Sequence, residues 1–218
     1  MGHKVLYIHG MGGGADSRIP SILREYFSNG GKIEIIVRTY DFDPEIAGGQ
    51  IAAWVNELQP QLIIGESLGA MHAICVTGIP HIFVSPALNA SVYLGNLAPL
   101  SLLPGVTPLL DHIYKPRPGK RQKLHFTYPV LRKYKALRKK AIQNTSLNGS
   151  HDRFFAFFGT EDHYRKSGVV SVRTWKKYFG ENTFAMYRGT HFMEEEWVIS
   201  LLIPKIREEI TIFAGESK

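Results

Sequence analysis

Residues 61–78, QLIIGESLGAMHAICVTG, decide how the rest of this chain is read. An apolar run at 62–64 meets Gly65-Glu66-Ser67-Leu68-Gly69 and passes straight into a helix-compatible segment at 70–77, which Gly78 and Pro80 stop. The pattern is strand, sharp turn, helix. A turn this tight leaves no room for side chains where it folds back on its own strand and helix, which calls for glycine two before and two after Ser67. It holds the Ser67 hydroxyl clear of the sheet with a helix N-terminus aimed at it, where unsatisfied N–H groups favour developing negative charge. A bare G-x-S-x-G also arises by chance in a chain with 21 glycines, so the surrounding loops have to support it.

Working outward, strand and helix patterns alternate. Residues 4–9 (KVLYIH) form a β-rich run that feeds the glycine loop at 10–14. Ile19, Ile22, Leu23, Tyr26 and Phe27 recur at helical spacing over 18–28, with Pro20 tolerable in the first turn and Gly30-Gly31 closing the segment. A β-branched strand follows at 33–37. Asp43-Pro44 then supplies an N-cap and first-turn proline for a helix carrying Ile51, Trp54, Val55 and Leu58 on one face. Beyond the Ser67 unit, a buried strand at 81–84 ends in Ser85-Pro86-Ala87. Another at 154–158 leads into Gly159-Thr160-Glu161-Asp162 and a helix with Val169, Val172, Trp175 and Phe179, stopped by Gly180. The last strand, 183–187, runs into Gly189-Thr190-His191 and a terminal helix starting near Glu194, with a kink expected at Pro204. Six strands separated by helices predict an α/β fold, a parallel sheet of about six strands with helices on both faces. Such sheets carry their sites at the carboxyl ends of the strands, where His9, Ser67, Asp162 and His191 all fall.

At 218 residues and 44% hydrophobic, the chain suits one domain, 1–218. No apolar run reaches the ~18 residues of a membrane span, and the first residues lack a signal peptide's basic start, so a cytoplasmic protein is expected. A single cysteine, Cys75, reads as a packing thiol, and none of the nine histidines has metal-ligand spacing, so no metal is expected. The net charge of +7 is concentrated: eleven Lys or Arg and no acid lie between His112 and His151, leaving 15 basic against 19 acidic residues elsewhere. The alternation also stops there. Residues 88–150 hold prolines, the basic segment and one amphipathic helix at 130–142, with Val130, Tyr134, Leu137 and Ala141 opposite Lys133, Lys135, Arg138, Lys139 and Lys140. This reads as a cap-like insertion at about 88–150.

A serine hydroxyl is a weak nucleophile near neutral pH and needs a base within hydrogen-bond reach, itself fixed by a third group. His191 and Asp162 fit those roles. Glu161 is adjacent to Asp162, Asp152 precedes the strand and falls at the opposite sheet edge, and an aspartate at 162 also suits a helix N-cap. His163 merely follows the acid, and His9 is expected to shape the glycine loop. With these residues the chain resembles the α/β-hydrolase superfamily, small esterase type, whose chain order is nucleophile, acid, histidine. His9-Gly10 matches the oxyanion loop, 65–69 the nucleophile elbow, 159–162 the acid loop and 189–191 the histidine loop. The resemblance covers nearly all of the chain outside the insertion. It implies strand order 2-1-3-4-5-6, lacking the full fold's first two strands, with the cap between the fourth and fifth. It also implies a cofactor-free serine hydrolase acting on a small-molecule ester or thioester. The oxyanion donors it implies are the backbone N–H of Leu68 and of Met11, with Gly12 as alternative to Met11.

Two rival readings use the same residues. Gly10 to Ala15 satisfies G-x-G-x-x-G/A, the dinucleotide fingerprint. Yet Glu34 lies too early in the next strand to bind a ribose, Asp41 and Asp43 come too late, and Pro20 pushes the helix away from the glycines. A non-catalytic reading has the basic 115–140 segment bind nucleic acid or another anion, helped by Phe126, Tyr128 and Tyr134. For the hydrolase, that segment is expected either to steer anionic substrates or to form a solvated or partner-binding face; nucleic acid is not the favoured partner.

Overall fold

In the computed structural model, which describes residues 2–28, 32–145 and 152–216, six strands form one parallel sheet. They are β1 (His3–Ile8), β2 (Ile33–Val37), β3 (Leu62–Glu66), β4 (His81–Val84), β5 (Phe154–Gly159) and β6 (Phe184–Tyr187), in the order β2-β1-β3-β4-β5-β6. The order that the resemblance implies is thus the observed one. Alternate side chains of each strand go to opposite faces. Val5, Tyr7, Ile64 and Val84 pack against Ile19 and Leu23 of α1 (Arg18–Ser28) and against Leu202 and Ile206 near the C-terminus. Leu6, Ile63, Phe83 and Phe158 face the other layer, built from α2 (Pro44–Leu58), α3 (Gly69–Ile74), α6 (Tyr128–Gln143) and α7 (Val172–Phe179). Register places Ile8 beside Gly65 and Glu66 beside Val84, so the carboxyl end of β3 emerges between those of β1 and β4.

Capping follows the sequence where the signal is local. Asp43 accepts from the Glu45 N–H (2.9 Å) with Pro44 in the first turn of α2, and Ser171 accepts from Thr174 N–H (3.1 Å) at the start of α7.

Three expectations need correction. The helix after Ser67 ends at Ile74 rather than 77, because the N–H groups of Cys75 and Val76 turn back to His72 and Ala73 (3.1 and 2.9 Å), tightening the last turn before Gly78 at φ 79°. The 88–150 stretch contains more than one helix: α4 (Ala90–Leu97), a 3-10 turn (Ala98–Leu102) and α5 (Val106–Ile113) precede α6. In α6 the buried stripe is Leu131, Tyr134, Leu137 and Ala141, so Leu131 takes the place expected of Val130. The terminal segment shows a π turn (Val198–Leu202) between α8 (Glu195–Trp197) and α9 (Ile203–Glu216). It ends two residues before Pro204, which has no N–H for the helical ladder, so the helix is irregular next to the proline that the sequence marks. The expected Gly30-Gly31 stop lies outside the described residues. Among those described, no helix is long and apolar enough to cross a membrane.

Candidate active site

The turn after β3 places Ser67 at φ 50°, left-handed backbone that a residue with a Cβ adopts only when its surroundings enforce it. Two bonds enforce it here: Ser67 N–H to Val84 O and Ala87 N–H to Ser67 O, both 3.0 Å. Both motif glycines are sterically required. A Cβ on Gly65 would lie 2.9 Å from Ala70 Cα and Ala73 Cβ, and one on Gly69 would overlap the carbonyl oxygens of Ile8 and His9. The helix therefore packs directly on the strand end, leaving the serine outermost.

The acid and histidine loops are zipped together by Thr160 N–H to Tyr187 O (2.8 Å) and Glu161 N–H to Gly189 O (2.9 Å). Asp162 makes two contacts, one with each of its carboxylate oxygens. Its Oδ1 accepts from Tyr164 N–H (2.8 Å), capping a 3-10 turn (His163–Arg165), while Oδ2 lies 2.8 Å from His191 Nδ1. An ionised carboxylate only accepts, so Nδ1 carries the proton and Nε2 is left to accept from Ser67 Oγ at 2.9 Å. The His191 and Asp162 side chains are 3% and 0% exposed. The other acids are elsewhere: Glu161 faces Arg188 on the surface (3.4 Å), and Asp152 accepts from Gly78 N–H (2.7 Å) at the opposite sheet edge. The His163 ring lies tilted against that of Tyr164 and 6.2 Å from that of His191. His9 is buried against Tyr40, its Nδ1 2.7 Å from Gly10 O, and burial lowers its pKa to about 4.

Two residues that sequence reasoning passed over complete the surroundings. Glu66, just before the serine, is buried and accepts from the Tyr7 hydroxyl at 2.9 Å, and desolvation raises its pKa. Gln122 is buried against the glycine loop. Its Oε1 accepts from Gly12 N–H (3.0 Å), its own N–H donates to Gly13 O (2.8 Å), and its Nε2 donates to Asp41 O (3.3 Å). A β-bridge joins Gly14 to Arg121, and a Cβ on Gly14 would overlap Lys120 O. The loop's glycines thus admit the chain's own residues 120–122, whereas a dinucleotide reading needs them for a pyrophosphate. Met11 and Leu68 N–H make no hydrogen bond among the described residues.

A cavity of about 640 Å³ opens over Ser67 and His191, walled by the glycine loop, α4, Tyr114, Phe126, Tyr164, Val169 and Phe192. A hollow of similar volume, about 670 Å³, is lined by the acid loop, Asp162 included, and touches neither Ser67 nor His191. No residue of α6 borders the cavity over Ser67. Some cations of the basic segment find partners elsewhere in the chain. Lys133 bridges Asp43 (2.7 Å) and Glu45 (2.9 Å), Arg121 pairs with Asp16 (3.1 Å), and Arg138 donates to Leu88 O (3.0 Å). Phe126 and Tyr134 are buried, which removes them as base-stacking platforms for nucleic acid. Among the described residues, no group of three or more His, Cys, Asp or Glu side chains is placed to hold a metal ion.

No family model matches this sequence, and no curated protein does. Solved structures match over nearly the whole chain. A putative hydrolase from Agrobacterium vitis S4 is 14% identical with a TM-score of 0.64, covering 95% of this chain and 88% of its own. The metagenome-derived lipolytic enzymes LipS and LipT are represented at 16% identity and a TM-score of 0.60, covering 95% of both chains. A carboxylesterase structure from the ammonia-oxidizing Thaumarchaeon Nitrososphaera gargenis is 15% identical, with a TM-score of 0.56 and coverage of 99% and 92%. The likeness shows that the fold is that of the α/β-hydrolases.

Proposed function

We propose that this chain is a serine hydrolase cleaving a small-molecule carboxylic ester or thioester through an acyl-enzyme. Ser67 is the nucleophile, His191 the general base and then acid, and Asp162 the group that orients the imidazole. The observation that carries this reading is the unbroken line Ser67 Oγ, His191, Asp162, at 2.9 and 2.8 Å, on a strained turn that opens into a cavity. Neighbouring folds described as carboxylesterases and lipolytic enzymes agree with it.

In this mechanism Ser67 Oγ attacks the acyl carbon as its proton passes to His191 Nε2, and the carbonyl π electrons move onto oxygen. The oxyanion is met by the N–H groups of Leu68 and Met11. Gly12 is the poorer second donor, since its N–H is already given to Gln122. Collapse of the intermediate expels the alkoxide or thiolate, which takes the proton from His191. Water then repeats the sequence on the acyl-serine, and Asp162 stabilises the imidazolium formed in each half. No cofactor takes part. Ser67→Ala is expected to abolish labelling by a fluorophosphonate and lower turnover of a short-chain ester by up to about 10⁶-fold, with little change in stability. Retention of more than a tenth of the wild-type rate would overturn the assignment.

A further inference from the structure

The cavity over Ser67 has two chemically different ends. β1 and β4 flank β3 in the sheet, so the loops that follow them lie on opposite sides of Ser67. On the β4 side the wall is apolar, with Ala90, Leu94 and Leu97 of α4 and Val169 beyond them. On the β1 side stand the glycine loop and three arginines, Arg18, Arg117 and Arg121. Arg121 is held there by its bridge to Gly14 and by Asp16, and Arg117 by its neighbour Pro116, which packs beside Gly12. Arg18 comes from the first turn of α1.

Charge at this end is not balanced. Asp16 pairs with Arg121, but Arg18 and Arg117 make no hydrogen bond or ion pair among the described residues, and Arg18 acts on Glu194 only at longer range. Among the described residues, Glu66 is the one carboxyl that lines the cavity, and it is buried and engaged by Tyr7. Guanidinium groups present planar forks that match carboxylate and phosphate oxygens, and low-dielectric walls concentrate their field.

Building on the serine-hydrolase reading, we propose that Arg18, Arg117 and Arg121 form an anion subsite beside Ser67. The preferred substrate is then an ester or thioester with one apolar or aromatic half, seated along α4, and another half ending in a carboxylate or phosphate.

Two substrate sets test this, one for each side of the scissile bond. For the leaving group, 4-(butanoyloxy)benzoate and 4-(butanoyloxy)phenyl phosphate are compared with the neutral methyl 4-(butanoyloxy)benzoate. For the acyl group, 4-nitrophenyl hydrogen glutarate is compared with 4-nitrophenyl pentanoate. At low ionic strength the wild type is expected to favour an anionic member of at least one set by about 10-fold in kcat/KM, and Arg18→Gln or Arg117→Gln to erase most of that ratio. The phosphate and carboxylate arms identify which oxyanion fits. Lys139→Gln, an equal charge loss on the outer face of α6, should leave the ratio unchanged. Neutral esters hydrolysed through Ser67 with no anionic preference would overturn the subsite and leave the hydrolase reading intact. An equal fall with Lys139→Gln would overturn it too, revealing a diffuse field. Should no ester be turned over, titrating 4-hydroxybenzoate and its methyl ester into Ser67→Ala separates the two ideas. Arg117-dependent preference for the acid keeps the subsite while the hydrolase reading falls, and equal binding removes the subsite as well.

Discussion

Arg117 and Arg121, on the stretch before α6, border the cavity over Ser67, whereas the cations of α6 itself do not reach it. Lys133 instead ties α6 to the start of α2, and Arg138 reaches back to the Leu88 carbonyl shortly after β4. Both stretches look alike in sequence, dense in Lys and Arg and free of acid. What separates them is the apolar pattern. Leu131, Tyr134, Leu137 and Ala141 bury one face of α6 in the core layer shared with α2 and α3, and the Tyr134 hydroxyl donates to Phe42 O at 2.8 Å. That stripe fixes which way the lysines point. Residues 114–122 have no such stripe, and Gln122 pins their end to the glycine loop. Charge density in a sequence therefore marks a region, and burial decides which of its charges face the site.

In the proposed mechanism chemistry belongs to the Ser67 line and to neither stretch. Asp162→Asn breaks that line at the far end from the serine. The amide can donate to His191 Nδ1 and so favour the wrong tautomer, and it no longer stabilises the imidazolium. Turnover should fall by about 10⁴-fold with geometry intact. Because Asn can still cap the 3-10 turn through its side-chain oxygen, thermal stability should change little. A loss below about 10-fold would move the orienting role away from Asp162.

A second large effect concerns acid. His9, His72 and His81 are buried, and desolvation lowers their pKa values to about 4, 3 and 4. The unfolded chain binds those protons at its ordinary imidazole pKa of ~6.5, so between that pH and about 4 it carries up to three more protons than the folded protein. Stability is then fully present above the unfolded value and is lost as pH falls through this window, on the order of several kcal/mol in all. Urea unfolding at pH 7, 6 and 5 measures it. His72 lies on α3, against which α6 packs, so loosening α6 should move the acid transition to higher pH, while changes at Arg117 should not. A midpoint that is flat from pH 7 to 5 would contradict the burial of these rings.

Local constraints are what made the fold and most of the candidate site legible. The glycines around Ser67, the Asp43-Pro44 cap and the strand periods each act within a few residues, and each appears where the pattern puts it. The order of strands is what the resemblance to the α/β-hydrolases implies; the hand of the crossovers alone does not choose among the orders open to six strands. Illegible were features whose partners are remote in sequence. Gln122 meets Gly12 across 110 residues and Lys133 meets Asp43 across 90, and neither has a local signature. The helices α4 and α5 escaped for a different reason: Gly95 lies inside α4, Pro108 inside α5, Pro99 and Pro104 fall between them, and α5 buries no residue that would set a period.

Gln122 gives a sharper cut between the two stretches. If residues 114–122 serve the site through the glycine loop, Gln122→Ala frees the Gly12 N–H and unpins the loop that carries Met11. A misplaced oxyanion donor costs about 10- to 100-fold, and the loss should fall on kcat more than on KM. Gln122→Glu retains an acceptor for Gly12 but loses the donor to Asp41, and should recover part of the rate. Equal kcat for wild type and Gln122→Ala, with only a lower Tm, would reduce this residue to packing.

The smallest effect is the most discriminating for α6. Lys133 Nζ sits between Asp43 Oδ2 and Glu45 Oε2, and these hydrogen bonds, Asp43 first, raise its pKa. The group is solvent-exposed, so its pairing is screened and its contribution to stability is small. Lys133→Gln leaves the Asp43 cap on Glu45 N–H in place and should lower Tm by no more than about 3 °C, less at high salt. Its kcat/KM for anionic and neutral esters should match wild type at both salt concentrations, because the charge removed faces α2 and lies outside the cavity. A selective, salt-sensitive loss on the anionic ester would place α6 among the elements that act on substrate, and the division between the two basic stretches would then fail.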